Sequence, residues 1–252
     1  MSPHRGAFDW AVAQTGEWSR NSIGSNLMKK MKEMKFHLTT GLLILASYLI
    51  FNVVMHPDFT NTLSDEMYYV LQVLLMLVLG VVATIIFVKS EHWKECGRFQ
   101  FRWSYLVVFI LSFFLLFVWA NLATRIFPRT QNGSAVVEVA TSLTGISYFI
   151  TRVLYGSLIA PVAEEVVCRG FVMTSLSKFK NYYIDVLVSA AIFGAMHVLQ
   201  HGWITTDFIG YFGMGLIFCM MFRYTRSIYW AIALHASWNT FLLIVSLLVF
   251  GY

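Results

Sequence analysis

Residues 103–123 read WSYLVVFILSFFLLFVWANLA, twenty-one consecutive positions without a charged side chain. As an α-helix this run is about 31 Å long, enough to cross a hydrocarbon core about 30 Å thick. Similar runs lie at about 36–55, 67–88, 146–176, 183–199, 208–222 and 228–250. They predict an all-α, polytopic membrane helical bundle with seven transmembrane helices. Splitting the long fourth segment, or a re-entrant piece near 200–210, makes eight.

Composition agrees with this reading. Of the 252 residues, 58% are apolar and 12% are charged, against about 45–50% and about 25% in an ordinary soluble domain. So little charge does not cover a water-soluble surface. Three cysteines are too few and odd in number for a disulfide scaffold. The wealth of aromatic and apolar residues excludes disorder.

The net charge of +5 invites a nucleic-acid reading, but the positions of the basic residues explain it otherwise. Arg5, Arg20, Lys29, Lys30, Lys32 and Lys35 precede the first span, whereas the following loop holds Asp58, Asp65 and Glu66 and no Lys or Arg. Lys89, Lys94, Arg98 and Arg102 follow the second span, Lys178 and Lys180 the fourth, and Arg223 and Arg226 the sixth. The alternate loops carry only Arg125 and Arg129. This is the positive-inside pattern. It predicts a multi-pass protein of the plasma membrane with a cytoplasmic N-terminus, whose partners are the lipid bilayer and a peptide or protein, with no nucleic acid.

Residues 1–35 are polar and lack the apolar core of a secretory signal. Trp10, Trp18, Leu27, Met28, Met31 and Met34, set among lysines, suit a helix lying on the inner leaflet or a solvated tail. The remainder, 36–252, reads as one transmembrane bundle without repeats.

An ionisable group inside a span costs at least ~2.5–3.5 kcal/mol on insertion scales and marks function by default. Once loop charges are set aside, Arg152, Glu164, Glu165, Arg169, His197, His235 and the polar Asn239 remain. Asn121, Asp185 and Asp207 lie near span ends, within reach of water, and His201 falls at the outer interface. Arg169 stands four residues after Glu165, on the same helical face, and holds that carboxylate ionised. Glu164 points about 100° away around the helix. It has no local partner, which suits a general base. A buried Glu–Arg pair serving only helix packing accounts for Glu165 and Arg169 but leaves Glu164 unexplained.

His197 closes the stretch Phe193-Gly194-Ala195-Met196-His197, where Ala190 and Gly194 form a small-xxx-small surface for close helix approach. His235 and Asn239 share one face of the last span at i, i+4. Each motif alone is compatible with helix glue. Counted inward from the cytosolic boundaries, however, Glu164 lies ~20 Å deep, Glu165 ~18 Å, His197 ~21 Å, Asn239 ~18 Å and His235 ~12 Å. Independent glue residues have no reason to share a layer, so one site is expected.

The set offers a carboxylate base, a second carboxylate clamped by Arg, two histidines and an amide. Hydrolysis by activated water is the economical chemistry. Glu164, with His197, takes the water's proton, and His235 and Asn239 donate to a developing oxyanion. Glu and two His are equally the donor types for a divalent metal such as zinc, and the sequence leaves the two routes open. There is no H-E-x-x-H zincin motif. Cys168 reads as packing, as do Gly210, Gly213 and Gly215 inside an apolar span.

Glu-Glu-x-x-x-Arg (164–169), Phe-x-x-x-His (193–197) and His-x-x-x-Asn (235–239), in this order on late membrane helices, resemble the CPBP family, the CAAX-protease and bacteriocin-processing (Abi) proteins. The resemblance covers about 140–250. It implies an intramembrane endopeptidase of glutamate or metal-assisted type. Glu164 and His197 would activate water, His235 and Asn239 would form the oxyanion hole, and Glu165 and Arg169 would support and orient. No motif position departs from the pattern. The short form of the chain resembles bacterial members linked to bacteriocin or pheromone-type peptides, ahead of prenyl-protein processing. The alternatives are a non-catalytic bacteriocin immunity protein or membrane regulator, in which the polar set is glue or a docking surface, and a transporter, which lacks paired broken helices here.

Overall fold

The computed structural model describes residues 63–127, 149–199 and 203–250, with single positions at 25, 28, 31 and 46. Apart from those single positions, the N-terminal tail at 1–35 and the first span at 36–55 lie outside the described residues, as does His201. The chain divides into two units, Met1–Thr40 and Gly41–Tyr252, and the second carries everything that follows. Among the described residues there is helix and no strand.

Helix α1, Asp65–Val88, begins where the Ser64 hydroxyl accepts the Met67 amide at 3.3 Å, satisfying one of the amides a helix start leaves unpaired. A short α2, Glu91–Cys96, leads to α3, Trp103–Ile126. Helix α4 is composite. Wide π-type turns at Phe149–Ile159 and Val166–Met173 flank a six-residue α-helical segment, Ala160–Glu165. Pro161 stands where the wide turns give way to that segment, and it has no N–H to donate back into them. A 3₁₀ turn at Ser177–Tyr182 then precedes α5, Ile184–Val198; α6 is Thr205–Thr225 and α7 is Ile228–Phe250.

Val70–Val88, Trp103–Ile126, Thr205–Thr225 and Ile228–Val249 are long and apolar enough to cross a membrane, and α5 is a shorter apolar helix. The outward faces are greasy: Ile110, Leu111, Phe114 and Leu248 are all exposed, as lipid contact requires.

Helices α4 to α7 enclose the core. One cluster joins Phe87 of α1 to Phe171, Ala190, Cys219 and Ala231; another joins Phe193, Met196, Phe218, Leu234 and Trp238. The small residues act as close-packing points. A Cβ on Gly215 would stand 3.1 Å from Ala190 Cα, so α5 and α6 approach backbone to backbone there. The indole of Trp119 lies over Gly213 and donates to the Gly210 carbonyl at 2.8 Å. Cys168 is buried with its sulfur 4.0 Å from Met196 Sδ, the packing role expected of it.

Asp185, expected to reach water, does otherwise, and half-buried Asp207 keeps only one oxygen from it. Asp185 is buried and holds Arg223, whose Nη1 donates to Oδ1 at 3.1 Å and Oδ2 at 3.3 Å. The same guanidinium donates to the Lys180 carbonyl at 2.7 Å and lies 4.2 Å over the Tyr183 ring. One arginine thus knits the ends of α5 and α6, because the α5–α6 approach turns Asp185 inward. Asp207 Oδ2 is likewise buried, without a hydrogen-bond partner. At the same end Tyr183 and Arg226 adopt left-handed backbone, φ 57° and 52°, and set the tight links into α5 and α7.

Candidate active site

The α-helical segment of α4 delivers Glu164 and Glu165 to the centre of the bundle, one turn after Pro161. Both are buried, and Glu165 is wholly so. Its Oε1 accepts from Arg169 Nη1 at 3.1 Å and from His235 Nδ1 at 2.9 Å. The i, i+4 pairing read from the sequence is therefore present, with a histidine of α7 as a third member.

Arg169 is also fully buried. Its Nη2 donates to the Gly215 carbonyl at 2.9 Å, and its guanidinium lies between the Phe193 and Phe218 rings at 5.0 and 5.4 Å. Hydrogen bonds and ring faces together compensate the burial of this cation.

His197 is fixed by its own helix. Nδ1 lies 2.9 Å from the Phe193 carbonyl one turn back, and the ring stacks on Tyr211 with centroids 4.3 Å apart. A carbonyl only accepts, so Nδ1 carries the proton and a neutral His197 presents a lone pair at Nε2. His235 is oriented in the same sense by Glu165 and stacks on Phe218 at 4.5 Å.

Both Nε2 atoms face Glu164. Oε2 of that residue lies 3.6 Å from His197 Nε2 and 3.8 Å from His235 Nε2, and it is buried with no hydrogen-bond donor. Asn239 Nδ2 donates to the Gly156 carbonyl at 2.8 Å, strapping α7 to α4 and leaving its second N–H uncommitted by that bond. A cavity of about 430 Å³ connects His197, His235 and Asn239 with Arg152, Tyr211 and Trp238.

The structure therefore brings Glu164, Glu165, Arg169, His197 and His235 into one constellation, with Asn239 on the same cavity. Sequence reasoning missed Tyr211, Phe218 and the carbonyls of Gly215 and Gly156. Apolar and aromatic residues in an apolar helix carry no polarity signal, and a backbone carbonyl carries no residue signal. Phe193 did have one, as the first member of Phe-x-x-x-His, because its carbonyl reaches the imidazole four residues on.

Glu164, His197 and His235 are of metal-binding type. Among the described residues, however, no group of three or more His, Cys, Asp or Glu is placed to hold a metal ion. An unsatisfied carboxylate oxygen thus lies near two imidazoles, beside a largely apolar pocket whose wall carries His197, His235 and the Asn239 amide.

Residues 146–241 match the model of the type II CAAX prenyl endopeptidase Rce1-like family, and that span contains all six site residues. Two curated relatives share the similarity. The putative membrane peptidase YdiL of Bacillus subtilis (strain 168) is 26% identical over 120 residues, 47% of this chain and 44% of its own length. The membrane-embedded CAAX protease MroQ of Staphylococcus aureus (strain USA300) is 25% identical over 231 residues, 84% of this chain and 88% of its own. The chain thus spans less than half of the first relative and most of the second. No solved structure gives a significant match.

Proposed function

We propose, from the Rce1-like match over residues 146–241, that this protein is an intramembrane endopeptidase that hydrolyses a membrane-associated peptide or protein with water activated by Glu164 and His197. The observation that carries the proposal is the bare Glu164 Oε2 facing two imidazole nitrogens. A water held between this oxygen and His197 Nε2 has acceptors for both of its protons.

In the reaction, Glu164 takes one proton as the water oxygen bonds to the substrate carbonyl carbon. The carbonyl π electrons move onto oxygen. Asn239 stabilises that oxyanion with its second N–H and His235 with Nε2–H. Because the Nδ1 proton of His235 is committed to Glu165, Nε2 donates when a second ring proton occupies it. Collapse re-forms the carbonyl and breaks the C–N bond, and the leaving amine takes the proton held by Glu164. Arg169 holds Glu165 in place throughout.

The basic loops support a plasma-membrane protein with a cytoplasmic N-terminus. The site suits processing of bacteriocin or pheromone-type peptides, in immunity or in maturation. Glu164→Ala and His197→Ala are expected to leave an inserted, folded protein that no longer cleaves, read by mass spectrometry of peptides accumulating in mutant against wild-type cells. Undiminished processing in either variant refutes the mechanism. Protection from a bacteriocin that survives joint loss of Glu164, His197 and His235 points to the non-catalytic immunity reading instead.

A further inference from the structure

The geometry points to one direction of substrate entry: an extended, apolar peptide segment enters the site from the extracytoplasmic face, at the end of the bundle opposite its basic loops. This rests on the peptidase reading above and adds the route and the kind of substrate that fits it.

Helix α4 runs toward Lys178 and Lys180, and α7 starts directly after Arg223 and Arg226. The Met173 end of α4 and the Ile228 end of α7 therefore mark the basic face, which the positive-inside rule places in the cytoplasm. From the level of Phe218 and His235 the cavity extends toward the other end of the bundle. Its walls include Arg152 and Ser157 from the start of α4 and Leu243 and Ser246 from the far half of α7. Toward the basic face the interior is closed. Arg169, Phe171, Cys219, Met221 and Leu234 are each at most 1% exposed, and no wall of the cavity is built from them. Among the described residues, a peptide arriving from the cytoplasm would have to displace this packed layer.

Depth gives the length of the route. Counted along α7 from Ser227, Asn239 lies ~18 Å and Ser246 ~28 Å from the basic boundary, in a hydrocarbon core about 30 Å thick. About 10 Å thus separates the oxyanion donor from the far surface. An extended chain advances about 3.3 Å per residue, so about three substrate residues fit between the scissile bond and the mouth. Leu242, Leu243 and Val245 give the route an apolar side, and Ser157 and Ser246 supply hydroxyls along it. An extended segment with apolar side chains matches that lining, its backbone amides meeting the hydroxyls.

The test reads access without relying on catalysis. Ser246→Cys and, as a second reporter in the same wall, Leu243→Cys are made in the full chain, with Lys178→Cys marking the opposite face. Cys96, Cys168 and Cys219 are buried, and the unsubstituted protein gives their background. A membrane-impermeant thiol reagent is applied to intact cells and to inside-out vesicles. The expected result is labelling of Ser246→Cys and Leu243→Cys in intact cells and loss of that labelling in inside-out vesicles, with Lys178→Cys showing the reverse. Labelling of both wall reporters only in inside-out vesicles, or in neither preparation, overturns the proposal. Cleavage by Glu164→Ala protein alongside outward labelling would remove the peptidase reading and leave the route standing. Loss of cleavage with inward labelling would do the opposite.

Discussion

The imidazole of His235 joins two consecutive carboxylates: Nδ1 lies 2.9 Å from Glu165 Oε1, and Nε2 lies 3.8 Å from Glu164 Oε2. Neighbours in sequence are thereby divided in task. Glu165 is wholly buried and its Oε1 takes two donors, from Arg169 and His235, whereas Glu164 Oε2 takes none and faces two imidazole nitrogens. The pair is not interchangeable, although the two residues are chemically identical.

Glu165→Gln tests that division. An amide replaces the carboxylate that accepts the Nδ1 proton of His235, so the ring is no longer held with Nε2 toward the oxyanion. The expected loss is about 100-fold in kcat, the scale of removing one oxyanion donor, with KM little changed. Histidine ¹⁵N spectra supply the second readout, with the His235 signals moving while those of His197 stay. Equal loss of kcat and folded protein would make Glu165 merely structural.

Gly215→Ala tests the α5–α6 approach. Its Cβ would sit 3.1 Å from Ala190 Cα and 3.2 Å from the Ala190 carbonyl oxygen and from the Phe193 ring. Backbone does not yield as a flexible side chain does, so overpacking of about 1–3 kcal/mol is expected. Thermal unfolding in detergent measures it. The Gly215 carbonyl also receives Arg169, so cleavage should fall further than the loss of folded protein explains. Unchanged stability would show that the helices can part freely.

Asp185→Ala leaves the Arg223 guanidinium without its carboxylate. Arg223 keeps 24% of its side chain exposed, so the cost should lie below that of a fully buried pair, about 2–3 kcal/mol. This pair is distant in sequence from every catalytic candidate. The prediction is a lower unfolding temperature with normal kcat in the protein that remains folded. A selective loss of kcat would link the basic end of α5 to the chemistry.

Much of this arrangement is legible in the sequence, and the reason is physical. Charge is so costly in an apolar span that Glu164, Glu165, Arg169, His197 and His235 stand out without any structural information, and counting 1.5 Å per residue brings most of them to one depth. Helix limits such as 228–250 follow from hydropathy alone. What the pattern hides is rotation. Whether Asp185 faces water or Arg223 depends on how α5 turns against α6, which is decided by Ala190 meeting Gly215. The wide turns of α4 escape for a similar reason. A π-type turn changes which residues are stacked without changing which residues are apolar. The aromatic clamp on Arg169 is invisible too, because Phe218 looks like every other phenylalanine in an apolar helix.

Only Arg226 and Ser227 separate α6 from α7, and the left-handed φ of Arg226 turns the chain back at once. A link this short costs little loop entropy, and local contacts of this kind are the first available to a folding chain. The two helices form a hairpin whose own contacts include the stack of Phe218 on His235. One face of the histidine is thus covered by its neighbour in the chain, which leaves the ring edge for Glu165.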